Sequence, residues 1–99
     1  MITFDETDGR GDDAAAACCG EQGLPGQDQQ PGITGPGGGR VGAVLLSQFI
    51  KPGTVSTVPY NHYSTLRYVE DTFGLEHLGY AGQSGLKVFG ADVFTQSAP

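Results

Sequence analysis

Val41-Gly42-Ala43-Val44-Leu45-Leu46-Ser47-Gln48-Phe49-Ile50 is the most apolar stretch of this 99-residue chain. Its apolar positions do not alternate strictly with polar ones, which predicts a strand buried on both faces, as in a parallel sheet covered by helices. Lys51-Pro52-Gly53 ends the stretch with turn chemistry. Upstream, Met1-Ile2-Thr3-Phe4-Asp5-Glu6 is a short β-prone run that stops at two acids. Downstream, Asn61 or Ser64 can cap a helix by accepting a backbone N–H. Leu66, Val69 and Phe73 fall at i, i+3 and i+7 of that helix and predict one apolar face. Arg67 can reach Glu70 or Asp71 on the outer face, and Gly74 supplies a left-handed stop. Leu75–Tyr80 and Leu86–Phe94 read as loop and short extended pieces, with Asp92 set among Val88, Phe89, Val93 and Phe94.

Two strands and one helix do not close a core. A strand buried on two sides needs neighbours and helices over both faces. The expected architecture is therefore α/β but incomplete: one partial domain over residues 1–99. It comprises a strand at 1–6, a long Gly/Pro-rich loop at 7–40, and a strand, helix and C-terminal segment at 41–99. The loop is Asp-, Gly-, Gln- and Pro-rich, with little beyond Ala14–Cys19, Leu24 and Ile33 to bury. Such composition does not offset roughly 1–2 kcal/mol of backbone entropy per residue. A mobile surface insertion is the plain reading; a loop ordered by what it surrounds is the other.

Composition narrows the partners. The chain carries 11 Asp+Glu against 5 Lys+Arg, a net charge of −6. That balance argues against nucleic acid, whose phosphates are neutralised by Lys and Arg, and favours a cation. No apolar run approaches the roughly 20 residues of a membrane span, and no charged-then-apolar leader opens the sequence.

Several short motifs fail on physical grounds. Arg10-Gly11-Asp12 spells an adhesion tripeptide, but three residues match often by chance. Gly37-x-Gly39-x-x-Gly42 matches the dinucleotide fingerprint as text; that chemistry needs a strand before and a helix after, and here a loop precedes and a strand follows. The glycines instead let a long loop turn sharply into the apolar stretch. Cys18 and Cys19 are the only cysteines, and a bridge between neighbours closes almost no loop. Free thiols, a vicinal disulfide and pairing elsewhere all remain open.

Asp5-Glu6 is the pair with chemistry to offer. In open α/β sheets, ligands bind beyond the carboxyl ends of strands, where these two acids sit. Hard divalent cations select carboxylate oxygens, and a cation so held polarises a phosphoryl oxygen or acidifies a water. Solvated loop acids are the plainer reading of the same two residues. His62 opens the helix beside Asn61 and Tyr63, where it can meet a ligand or simply pack. His77 reads as surface.

Five blocks in order carry a wider likeness. They are Ile2-Thr3-Phe4-Asp5-Glu6; Gly38 to Ser47 with Phe49-Ile50-Lys51-Pro52-Gly53-Thr54; Tyr60-Asn61-His62-Tyr63-Ser64-Thr65-Leu66-Arg67; Glu70-Asp71-Thr72-Phe73-Gly74-Leu75; and His77-Leu78-Gly79-Tyr80-Ala81. This order resembles the C-terminal part of the bacterial phosphoesterase family, which includes phospholipase C and acid phosphatase enzymes related to the alkaline phosphatase fold. The resemblance implies an alkaline-phosphatase-like sheet-and-helix domain and metal-assisted attack on a phosphate ester or phospholipid. It implies Asp5 as a ligand of a divalent metal ion, Glu6 as a second, and His62 near the site. Many members of that family are exported. The family's early Glu-Glu-Asn-type motif and its Ser/Thr nucleophile have no counterpart here, so no catalytic nucleophile is assigned within the chain and no activity is expected of it alone. The rival expectation is a non-catalytic acidic module whose loop binds a partner or a cation.

Overall fold

A computed structural model describes residues 1–7 and 15–97. Its regular elements are few: strand β1 at Ile2–Thr3, strand β2 at Ala43–Val44, helix α1 at His62–Phe73, and a 3-10 helix at Gly79–Gly82. The Arg10-Gly11-Asp12 tripeptide lies outside the described residues.

β1 and β2 pair antiparallel, Ile2 opposite Val44 and Thr3 opposite Ala43. The doubly covered parallel strand expected over Val41–Ile50 is not formed. Only two residues pair, and Val44 and Leu46 are 55% and 77% exposed. The reason is topological. A parallel return needs a crossover, usually a helix, to carry the chain back to its starting end. The described part of the intervening loop carries no α-helix, so the chain comes back beside β1 in the opposite sense.

Helix α1 follows its local chemistry closely. The Asn61 side chain accepts the Ser64 N–H at 3.2 Å, while the Ser64 hydroxyl accepts the Asn61 N–H at 3.2 Å, a reciprocal capping box. At the other end Gly74 adopts φ 65°, ψ 35°, a left-handed turn that costs glycine little. Arg67 reaches Asp71, 3.9 Å from Nε to Oδ2, rather than Glu70.

Which face of α1 is covered departs from the periodicity. Leu66, Val69 and Phe73 all stay exposed, and the buried positions are Ser64 and Glu70. The covering layer is the C-terminal segment, and it offers polar partners. Glu70 Oε1 accepts the Leu78 N–H at 2.9 Å, and Arg67 Nη1 donates to the Gln83 carbonyl at 3.0 Å. Between these contacts Tyr68 stacks on Phe94 and tilts against Phe89. The buried apolar residues, Ala81, Leu86 and Val93, all belong to this segment. The core is thus small and sits between α1 and the tail, while the ribbon lies apart from it: α1 packs on the 3-10 helix and makes no comparable contact with β1 or β2.

The loop before β2 is a chain of turns in its described part. The Gln30 carbonyl accepts N–H groups from Ile33, Thr34 and Gly35, and Leu24 N–H donates to the Thr34 carbonyl. The loop closes back on β1's exit, with Thr7 N–H donating to the Gly38 carbonyl at 2.7 Å. These bonds tie the described part of the loop to itself and to the strand exit.

Candidate functional site

Two cavities, about 480 and 250 Å³, open where β1 ends. Asp5, Glu21, Gly37 and His62 line both. The larger one also takes in Arg40, Cys18, Ser56 and Tyr60.

His62 is the first residue of α1, and the capping box fixes where that residue stands. Its Nε2–H donates to the Asp5 carbonyl at 2.7 Å. A carbonyl can only accept, so in the neutral ring the proton sits on Nε2 and Nδ1 keeps its lone pair. This bond joins the helix to the strand exit. On the Asp5 side chain, Oδ1 accepts the Glu6 N–H at 3.0 Å.

The two neighbouring acids part company. Glu6 lines neither cavity and instead crosses the glycine turn of the loop. A Cβ at Gly32 would lie 3.1 Å from Glu6 Oε2 and 2.8 Å from the Gly38 Cα, so only glycine lets the chain cross itself here. Glu21 faces the cavities beside Asp5, and its Oε2 accepts the Gly37 N–H at 3.1 Å. Among the described residues, no three His, Cys, Asp or Glu side chains converge as a set able to hold a metal ion.

The far wall of the larger cavity is held by a carboxylate behind it. Asp92 Oδ2 accepts hydrogen bonds from the Ser56 hydroxyl and, at 2.6 Å, from the Tyr60 hydroxyl. These two bonds, Ser56 first, hold the Asp92 carboxyl below the usual carboxylate range. Burial, and then the bond and charge of Asp92, push the Tyr60 phenol up to about 12. Burial, helped by Glu21 and then Tyr80, also raises Tyr63. Cys18 and Cys19 are bonded to each other, and the Cys18 sulfur lies 3.4 Å from the Tyr60 carbonyl oxygen at the cavity rim.

A sequence model described as the phosphoesterase family matches residues 1–76. The chain belongs to the phosphoesterase family. That membership supports a phosphoesterase-type hydrolytic function at the level of the family. No curated protein and no solved structure matches the chain. The phosphoesterase match takes in every cavity residue named above, whereas Asp92 lies beyond it. The observed elements, a two-stranded sheet and one helix, are compatible with part of a mixed α/β domain.

Of the residues singled out from sequence, the structure brings Asp5 and His62 together and sets Glu6 aside. Sequence reasoning missed Glu21, Arg40 and the pairing of Asp92. Glu21 sits in a loop without periodicity and had no signal to find it by. Asp92 had one: a lone acid inside the apolar run Val88–Phe94 must find donors if the run packs. His77 is a surface residue as read, with Nε2 2.6 Å from Asp71 Oδ1.

Proposed function

We propose that the cavity beside Asp5 is one wall of a metal-assisted phosphoesterase centre of acid phosphatase or phospholipase C type, acting on phosphate monoesters or phospholipid diesters. The observation that supports it is the seating of Asp5 at the exit of β1, in a cavity shared with His62, inside the stretch that matches the family. The balance of charge on the larger cavity points the same way. Asp5 and Glu21 face Arg40 there, so a phosphate dianion gains little unless a cation accompanies it.

The donor chemistry fits a hard divalent cation, because Asp5 offers a carboxylate oxygen and Glu21 offers another to the same space. Glu6, turned onto Gly32 and Gly38, is the weaker second donor. Held there, a divalent cation would neutralise charge gathering on the phosphoryl oxygens. His62 keeps Nδ1 free as a proton acceptor, and its Nε2–H fixes the Asp5 backbone. Ser56 and Tyr60 also line this cavity, with their hydroxyls bonded to Asp92 behind it. Among the described residues the donor set stops short of three side chains. We assign the further donors and the nucleophile to residues of an alkaline-phosphatase-like domain outside the described ones.

Two measurements test this. The purified chain, given a divalent cation, is expected to leave a generic phosphate ester unhydrolysed. Turnover by the chain alone, lost in Asp5→Ala, would overturn the divided site. Calorimetric titration with magnesium or calcium is expected to show weak binding that Asp5→Asn removes; binding unaffected by that change would dismiss Asp5 as a ligand.

A further inference from the structure

The C-terminal segment lies outside the family match, yet it reaches the candidate site through one side chain. Asp92 stands in the turn closed by the Val93 and Phe94 N–H groups on the Gly90 carbonyl. Its Oδ2 takes both the Ser56 and the Tyr60 hydroxyls, the two ends of a five-residue span on the cavity wall. That span runs directly into Asn61, the cap of α1, and His62, whose ring holds the Asp5 carbonyl. The Ser56 oxygen also accepts the Val58 N–H at 3.2 Å, so the span is pinned at its middle as well. Tyr60 is held from the tail by its ring too, edge-on to Phe89 with centroids 4.8 Å apart. No regular secondary structure occupies residues 51–60, so these side-chain bonds are what fix the span's path.

We propose that Asp92 is a positioning residue: its carboxylate clasps Ser56 and Tyr60 and so sets the entry of α1 that delivers the His62 ring to Asp5. The clasp belongs to this chain's own tail rather than to the matched family region. The proposal takes its functional meaning from the phosphoesterase reading of the cavity, but the geometry it asserts stands without substrate or metal.

The test reads the ligand-free full chain by NMR, following the His62 imidazole and the Tyr60 ring. Asp92→Ala removes the one oxygen that accepts both hydroxyls and is expected to shift the His62 ring signals under conditions where far-UV circular dichroism shows α1 intact. Asp92→Asn keeps an oxygen for the two hydroxyls but carries no charge. It is expected to restore the His62 signals while lowering the ionisation of Tyr60 from about 12 toward, though not to, the ordinary value near 10, since burial persists. A tail that merely adds stability would lower the melting temperature in Asp92→Ala and leave His62 unmoved in the folded chain, and that result would overturn the proposal. Should Asp92→Ala not fold, Ser56→Ala and Tyr60→Phe each remove one bond and keep the packing. Movement of His62 in either supports the clasp, and a stationary His62 in both dismisses it. Because no phosphate ester is present, a failed phosphoesterase reading leaves these outcomes unchanged.

Discussion

The β1–β2 ribbon keeps its large apolar side chains in water, whereas α1 and the tail meet around the rings of Tyr68, Phe89 and Phe94 and through bonds from Glu70 and Arg67 to the tail backbone. Ile2 and Val44 are paired across the ribbon, so they share one of its faces, and they are 65% and 55% exposed. Phe89 instead touches both Tyr60 and Tyr68, and Tyr68 stacks on Phe94. The ribbon is defined by backbone pairing and by the loop that closes over it; the cluster is defined by side-chain packing. A two-stranded ribbon is marginal in water unless a face is covered. The ribbon and its loop join the cluster through His62 on the Asp5 carbonyl and Tyr63 hydroxyl on the Gln22 carbonyl, both at the cavities, and through Gln83 Nε2 on the Gly20 carbonyl outside them. The site is a seam: a few hydrogen bonds join its strand side to the helix–tail cluster.

This difference can be broken by substitution. The largest expected loss comes from Phe89→Ala, which strips two aromatic contacts from the cluster. About 2 kcal/mol is expected, less than the roughly 3–5 of a fully buried ring because Phe89 is half-buried. Denaturant unfolding followed at the helix signal checks it. Asn61→Ala should come next, at about 1 kcal/mol, by opening the capping box at the point where helix meets cavity. The alkaline limb gives the third contrast. The Tyr60 phenol sits above its unfolded value of 10.0, so the fold favours the neutral form. Its contribution is whole below pH 10 and is lost as pH rises through about 12. Midpoints of unfolding measured across that window should fall less in Tyr60→Phe than in the parent chain. The smallest effects belong to the ribbon: Val44→Ser and Leu46→Ser are expected to change the cluster's stability by no more than about 0.5 kcal/mol. A ribbon substitution that costs more than Phe89→Ala would reverse the comparison.

Legibility followed the range of the interaction. The Asn61 cap and the Gly74 stop were readable because each is decided within one turn of its own backbone. Val41–Ile50 was not, since an apolar run reports a wish for burial and says nothing of whether two layers are at hand to provide it. The i, i+3, i+7 stripe of α1 shows the same limit. Leu66, Val69 and Phe73 do lie on one side, but the tail settled on the other, where Glu70 and Arg67 find backbone partners. At the site, Asp5 was legible as an acid at a strand exit. Its cavity neighbour Glu21 and the Asp92 clasp depend on contacts 16 to 36 residues apart, which no local pattern encodes.

The glycine-rich loop has its anchors at the base, where Gly20 meets Gln83 and Gly37 meets Glu21, and its outer bend at Gly26 has no neighbouring atom within 4 Å of where a side chain would begin. Extra residues spliced in at that bend would project outward and leave both anchors undisturbed. A dye or an affinity handle grafted there would give experimenters a reporter on the cavity that does not itself intrude on it.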